Sequence, residues 1–322
     1  MKWLAGRVGQ AIVTAALAVV LAFFLMRAAP GDPLSRLGDE HPLSPQQVQV
    51  LRARYGLDQP LSAQFRAFVA GAVRGDFGTS IQYGRPVSDL ILQRLPASLL
   101  LGGTVLLITF VLGSWLGAMQ ALRAGSAGDQ AVGALSLAAY ATPSFWLGLV
   151  LAWLVGIEWR LLPAAGMHDP LLPMDASWAT RALDIGRHLI LPALTLAVVN
   201  IGATMRHERS AMLQALREPF VQSARARGLA EGRIRWHHAF RNALFPVVTL
   251  FGLWLPLVVA GSVFVEKVFA WPGLGALAAD AVSARDYPLL MGVTVLVSLM
   301  VVGGALVADA AYALLDPRVR RA

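Results

Sequence analysis

Residues 95–122 read LPASLLLGGTVLLITFVLGSWLGAMQAL, 28 positions without one aspartate, glutamate, lysine or arginine. As an α-helix this run rises about 42 Å, more than the roughly 30 Å of a bilayer's hydrocarbon core. Five further charge-free runs reach 18 residues or more: 8–26, 130–157, 188–205, 242–265 and 287–308. Helices buried in a large soluble core usually keep a polar face, and these runs do not show one. The composition agrees, since 57% of the 322 residues are apolar and only 14% charged. Soluble domains carry roughly 25% charged residues. The fold class is therefore an all-α polytopic membrane protein with about six transmembrane helices.

Charge sets the expected orientation. With sides alternating across six spans, the amino-terminal side collects Lys2, Arg7, Arg123, the eight arginines from Arg206 to Arg241, and Arg318, Arg320 and Arg321. Its acids are Asp129, Glu208, Glu218, Glu231, Asp309 and Asp316. Fourteen basic against six acidic residues give that side the whole formal charge of +8, and the other side nets zero. Basic residues near span ends stay in the cytoplasm, so both termini are expected inside. The high isoelectric point then needs no nucleic-acid partner. Disulfides, thiol catalysis and cysteine-ligated metals are excluded, because the chain has no cysteine. Lys2, Arg7 and the following apolar run resemble a secretory signal, with Ala28 and Ala29 small enough for cleavage. Arg27 and Pro30 fit cleavage badly, so an uncleaved first span is expected.

Between the first two spans lies a polar stretch with its own helix punctuation. Ser44-Pro45-Gln46-Gln47 offers an N-cap serine, a proline at the first helical position and a glutamine three residues on. Ser62 is a second candidate cap, for a short helix through Val73, and 75–80 is a turn-rich break. The expected division is a first span at 1–29, an extracytoplasmic helical subdomain at 30–94, a five-helix transmembrane domain at 95–316 and a cytoplasmic tail at 317–322. Pro143 should bend the third span. Leu162-Pro163-Ala164-Ala165-Gly166 lies in an outer loop, and Trp271-Pro272-Gly273-Leu274-Gly275 forms an outer turn before the sixth span.

Catalytic chemistry is scarce. The only lysines, Lys2 and Lys267, do not follow a glycine, so there is no phosphate-binding loop and no ATPase of that type. Gly273-Leu274-Gly275-Ala276-Leu277-Ala278 matches a relaxed dinucleotide fingerprint, but it follows Trp-Pro instead of a strand, and is read as coincidence. The six runs contain no carboxylate of the kind an ion-driven carrier uses. Asp309, just inside the last span, reads as a snorkelling or pore-wetting carboxylate more readily than as a proton site. His207, His237 and His238 lack the spacing of a metal site.

The remaining feature is the arginine-rich segment 206–241. Glu218-Pro219 opens a short helix through Arg227, and Gly228 is placed to stop it in a left-handed cap. A second, basic helix from Ala230 leads into the fifth span at Asn242. A short helix held out by flanking helices suits a groove on a cytoplasmic partner; the alternative is a merely solvated basic loop.

This segment resembles the cytoplasmic loop of ABC-importer permeases, in the wording of the peptide/nickel branch. The matching residues are Ser223-Ala224-Arg225-Ala226-Arg227-Gly228-Leu229 and then His238-Ala239-Phe240-Arg241-Asn242-Ala243-Leu244-Phe245-Pro246. Further matches to the first of that branch's two permeases run almost end to end: Pro30-Gly31-Asp32-Pro33, Gly56-Leu57-Asp58-Gln59-Pro60, 75–80, 94–98, 142–146, 191–195, 268–275, 285–288 and Asp316-Pro317-Arg318. Their order along the chain makes the resemblance specific. It implies a type I ABC-importer permease fold in the bacterial inner membrane, working with a second permease subunit, two cytoplasmic ATPases and an extracytoplasmic binding protein. The chain itself then carries no cofactor, with ATP and Mg on the ATPases, and touches only these partners and membrane lipid. The resemblance assigns Gln222, Ser223, Ala224, Arg225, Arg227, Gly228 and Leu229 to the ATPase-coupling loop. The general loop begins Glu-Ala-Ala, where this chain has Gln222-Ser223-Ala224, so no acidic contact carries over at that point. The implied cargo is a di- or oligopeptide, although members of the branch also carry nickel, glutathione or other small solutes. An ion-coupled secondary carrier is the alternative from another class.

Overall fold

In the computed structural model, which describes residues 2–28, 34, 44–260 and 262–315, each of the six charge-free runs is carried by a helix or a helix pair. The motifs at 30–33 and 316–318, and the tail, lie outside the described residues. Helix α1 (Lys2–Ala28) packs along α13 (Tyr287–Leu315). Four helices are long and apolar enough to cross a bilayer: α1, α4 (Val87–Leu122), α7 (Trp178–Ala215) and α13. The pair α5 (Ala127–Ala141) and α6 (Ser144–Leu151), the latter continuing as a π-helical segment to Glu158, is long and apolar enough for a fifth span only when its two halves are taken together. Helix α10 (Arg241–Ala260) carries the remaining run, and its 20 residues rise about 30 Å.

Pro143 does more than bend the third run. The two halves meet at 99°. Thr142, forced out of helical geometry by the following proline, is extended at ψ 126°, and its hydroxyl bonds back to Ala138 O.

Between α1 and α4, α2 (Pro45–Arg54) starts with the expected capping box. Gln47 N–H donates to Ser44 Oγ at 3.2 Å, and Ser44 N–H donates to Gln47 Oε1 at 2.8 Å. The expected serine cap of the next helix is not formed. Helix α3 (Leu61–Val73) starts directly after Pro60, with no side-chain cap. Proline's restricted φ, here −57°, already suits the helix entrance, and Pro60 O accepts from Ala63 and Gln64. Ser62 therefore falls inside the first turn.

Helices α4 and α7 form the most extensive pair. Gly113 and Gly117 permit it: a Cβ on Gly117 would stand 2.4 Å from Met205 O, and one on Gly113 2.9 Å from Thr204 Cβ. Small residues four apart allow such close backbone approach in membranes. The segment α11 (Val263–Val268) and α12 (Leu274–Ala284) closes the far end against α4. There Trp271 Nε1 donates to Ala97 O at 2.9 Å and Leu274 N–H to Ser98 Oγ at 2.7 Å. Two motifs more than 170 positions apart are thereby joined.

Candidate coupling site

The loop between α7 and α10 forms a built surface. Helix α7 rises about 57 Å over its 38 residues, nearly twice the hydrocarbon thickness, so it projects past the membrane and carries the loop with it. At its end Glu218-Pro219 starts α8 (Pro219–Ala226), with proline in the first turn, where its missing N–H costs nothing. Gly228 ends it at φ +75°. Leu229 N–H donates to Ala224 O at 3.2 Å and Gly228 N–H to Arg225 O at 2.9 Å, the paired bonds of a Schellman cap. The left-handed glycine expected from sequence is present.

One face of α8 is seated and the other is free. Val221 and Ala224 are fully buried against Ala118 and Ala121 of α4, Met212 and Ala215 of α7, and Ile234, Ala239 and Ala243 beyond. Leu229 packs at the margin of this cluster. Gln222, Ser223, Arg225, Arg227 and Gly228 are exposed. Of the seven residues singled out from sequence, Ala224 faces inward, Leu229 is half-buried, and the other five face outward.

The expected second basic helix is continuous with the fifth run: α9 (Glu231–Arg233), then a π-helical segment Ile234–Phe240, then α10. Arg225 is not a free cation within the chain. Its Nε donates to Glu231 Oε1 at 2.7 Å, and Arg235 approaches the other oxygen at 3.5 Å. These contacts, the Arg225 hydrogen bond foremost, hold the Glu231 carboxyl below the usual glutamate range. Glu231 and Val221 were missed in the sequence. The Val221/Ala224 pair at i, i+3 was the available signal for the seated face, whereas Arg225–Glu231 spans a helix end, where helical spacing gives no guide.

Deeper in the helices, α4, α7, α10 and α11 enclose a cavity of about 200 Å³ lined in part by Ser98, Thr109, Asn200, Trp254, Ser262 and Glu266. Glu266 is buried and accepts Ala276 N–H at 2.7 Å, at the start of α12. Gly273 makes room for it, since a Cβ there would stand 2.4 Å from the carboxylate. The glycines that mimic a nucleotide fingerprint thus accommodate a carboxylate. A second buried carboxylate, Glu208 on α7, has neither oxygen hydrogen-bonded among the described residues. The charge-free runs could not reveal it, because the run before it ends at Met205. Asp309 lies in α13, but its side chain is outside the described residues.

The described helices thus form a many-helix body bearing a small docked helix on an overhang. The family model described as "Binding-protein-dependent transport system inner membrane component" matches residues 88–321, and that of its N-terminal membrane component matches residues 1–102. The chain belongs to this family, the ABC-importer permeases, and is a multi-pass protein of the inner membrane. It is 38% identical over 301 residues to the "Oligopeptide transport system permease protein AppB" of Bacillus subtilis, covering 93% of each chain. It is 33% identical over 335 positions to the "Dipeptide transport system permease protein DppB" of Escherichia coli K12, and 36% identical over 332 positions to the "Di/tripeptide transport system permease protein DppB" of Pseudomonas aeruginosa, with 99% coverage of each chain in both cases.

Proposed function

We propose that this chain is one of two permease subunits lining the path of an ATP-driven importer of di- and oligopeptides. It receives cargo from an extracytoplasmic binding protein and is driven by two cytoplasmic ATPases that hold ATP and Mg. Both termini are cytoplasmic, following the charge asymmetry, with 30–94 facing outward as a helical subdomain, 95–316 as the transport domain and 317–322 as a cytoplasmic tail. The observation that carries the reading is the seat of α8: apolar on one side, polar and open on the other, at the tip of an overhanging helix. Gln222, Ser223, Arg225, Arg227 and Gly228 form the surface offered to the ATPase, while Ala224 and Leu229 anchor it.

Mechanistically, the chain supplies a path and a lever. Val221 and Ala224 touch the ends of α4 and α7 and the approach to α10, so displacement of α8 moves the helices around the inner cavity. Cargo needs no covalent chemistry on this route. Near-full-length likeness to relatives named for oligopeptides, dipeptides and di/tripeptides supports the cargo class. Reconstitution tests it: proteoliposomes with the companion subunits should take up labelled di- to pentapeptides only with ATP and binding protein. Uptake of a native substrate that peptide mixtures fail to compete would refute the peptide assignment and point to nickel, glutathione or another solute. Uptake that survives ATP depletion but stops with an uncoupler would refute the ATP-driven reading.

A further inference from the structure

The end of α1 borders a cavity of about 460 Å³ that the transport reading leaves unused. Its wall includes Phe23 and Arg27 of α1, Gln64 and Phe68 of α3, Asp76 of the following turn, and Tyr287 at the start of α13. None of these residues lines the inner cavity between α4, α7 and α10. The volume is that of a small-molecule site, far above the roughly 30 Å³ of one water.

Two polar atoms of this wall are buried without a hydrogen-bond partner: Arg27 Nε, a donor, and Gln64 Oε1, an acceptor. Gln64 Nε2 is committed to Gln59 O at 2.7 Å, which leaves the amide oxygen as the group on offer. The Arg27 guanidinium lies 5.8 Å from the Phe23 ring centroid, and among the described residues no carboxylate pairs with it. The carboxylate in the wall, Asp76, accepts Gly78 N–H at 2.9 Å. Arg27 is half-buried, but its Nε is a buried donor that needs an acceptor, and the Gln64 amide oxygen needs an N–H or O–H donor. With Arg27 and Arg54 against the single carboxylate of Asp76, the wall carries an excess of positive charge. It offers an acceptor-seeking Nε beside a donor-seeking amide oxygen, which suits a ligand bearing an anion and an N–H. Beside it α1 exposes Leu17, Leu21, Phe24 and Leu25, and Phe24 stacks on Phe65 of α3. This apolar strip runs back along the span.

We propose that this cavity holds the headgroup of an aminophospholipid, with its phosphate on Arg27, its ammonium donating to Gln64 Oε1 and its acyl chains along α1. A peptide zwitterion offers similar end groups but nothing to cover the apolar strip, so the lipid is the better occupant. The site would tie α1, α3 and α13 together at the membrane boundary, independently of what the transporter carries.

The test uses the full-length chain, delipidated in detergent and titrated with phosphatidylethanolamine, phosphatidylcholine or phosphatidylglycerol, with occupancy read by native mass spectrometry. Phosphatidylethanolamine should bind about tenfold tighter than phosphatidylcholine, whose quaternary ammonium has no N–H to donate. Arg27→Leu should weaken phosphatidylethanolamine about tenfold or more, and Arg27→Lys should retain most of the binding and so control for folding. Gln64→Leu should reduce phosphatidylethanolamine to the level of phosphatidylcholine and leave phosphatidylcholine unchanged. Undiminished occupancy in Arg27→Leu overturns the proposal. Equal binding of phosphatidylglycerol overturns it too, as does displacement of the lipid by a tripeptide, which would give the cavity to cargo.

Discussion

The two ends of the helical body are held together by different physics. At the α12 end, buried polar groups meet one another in directed bonds. Asp286 accepts from the Ser80 hydroxyl, from Gln82 N–H at 3.0 Å and from Leu289 N–H at 3.1 Å, while Glu266, Ser98 and Trp271 make the neighbouring contacts. At the α8 end the seat is a layer of alanines, a valine, an isoleucine and a methionine, with its ion pair outside in solvent. Directed buried bonds permit one geometry, because any shift leaves a donor unpaired. A smooth apolar seat loses little when its parts slide. On this difference the α8 end is expected to yield before the α12 end.

The largest effect is expected at the α12 end. Asp286→Ala strands three donors and should destabilise the chain by about 3 kcal/mol or more, seen as a lower midpoint in detergent thermal unfolding. Wild-type stability would mean the α12 end is no stiffer than the seat. Val221→Ala removes two buried methyls from the seat, at about 2 kcal/mol locally. Proteolysis should then cut first at α8 while the α12 end stays resistant, and ATP-driven uptake should fall more than stability does.

A smaller effect is expected at the cap. A Cβ on Gly228 meets nothing within 4 Å, so Gly228→Ala should cost only the left-handed backbone penalty, about 1–2 kcal/mol. Gly228→Trp adds bulk on the open side, and should block ATPase co-purification at similar stability. Recovery of the ATPase with that variant would remove α8 from the docking surface.

The smallest stability effect belongs to the Arg225–Glu231 pair, which is exposed on both sides. Because Glu231 is held below its usual range, the pair's contribution is complete above the unfolded glutamate value near ~4.3. It is lost as pH falls through the lower folded value. Pulse proteolysis of α8 across pH 3 to 6 should show opening only at the acid end, roughly below that value. The exchange Arg225→Glu with Glu231→Arg sharpens the functional side. Restored uptake would give the pair a purely internal role, and continued loss would place Arg225 against the partner.

Much of this architecture was legible because membrane spans and caps are local. A charge-free run of 18 or more residues has few other ways to satisfy its backbone, and proline–glycine punctuation around α8 acts within a turn or two. The Ser44 capping box was readable for the same reason, whereas the Ser62 cap failed because Pro60, two residues earlier, already suited the entrance. The 99° break at Pro143 exceeded the expected bend, since proline marks the position of a break but neighbouring helices choose its angle.

What the sequence by itself determined was the number and order of the apolar runs, the charge asymmetry and the short helix stopped at Gly228. Those depend on transfer of side chains into lipid and on bonds between near neighbours. Only the tertiary structure decided that Trp271 meets Ala97, that Gly273 makes room for Glu266, that Glu208 is buried and that Arg225 is claimed by Glu231. The first and third depend on which helix faces which, as close packing at Gly113 and Gly117 does for α4 and α7, where the absence of a side chain is the contact. The second and fourth depend instead on the path of the chain between short helices.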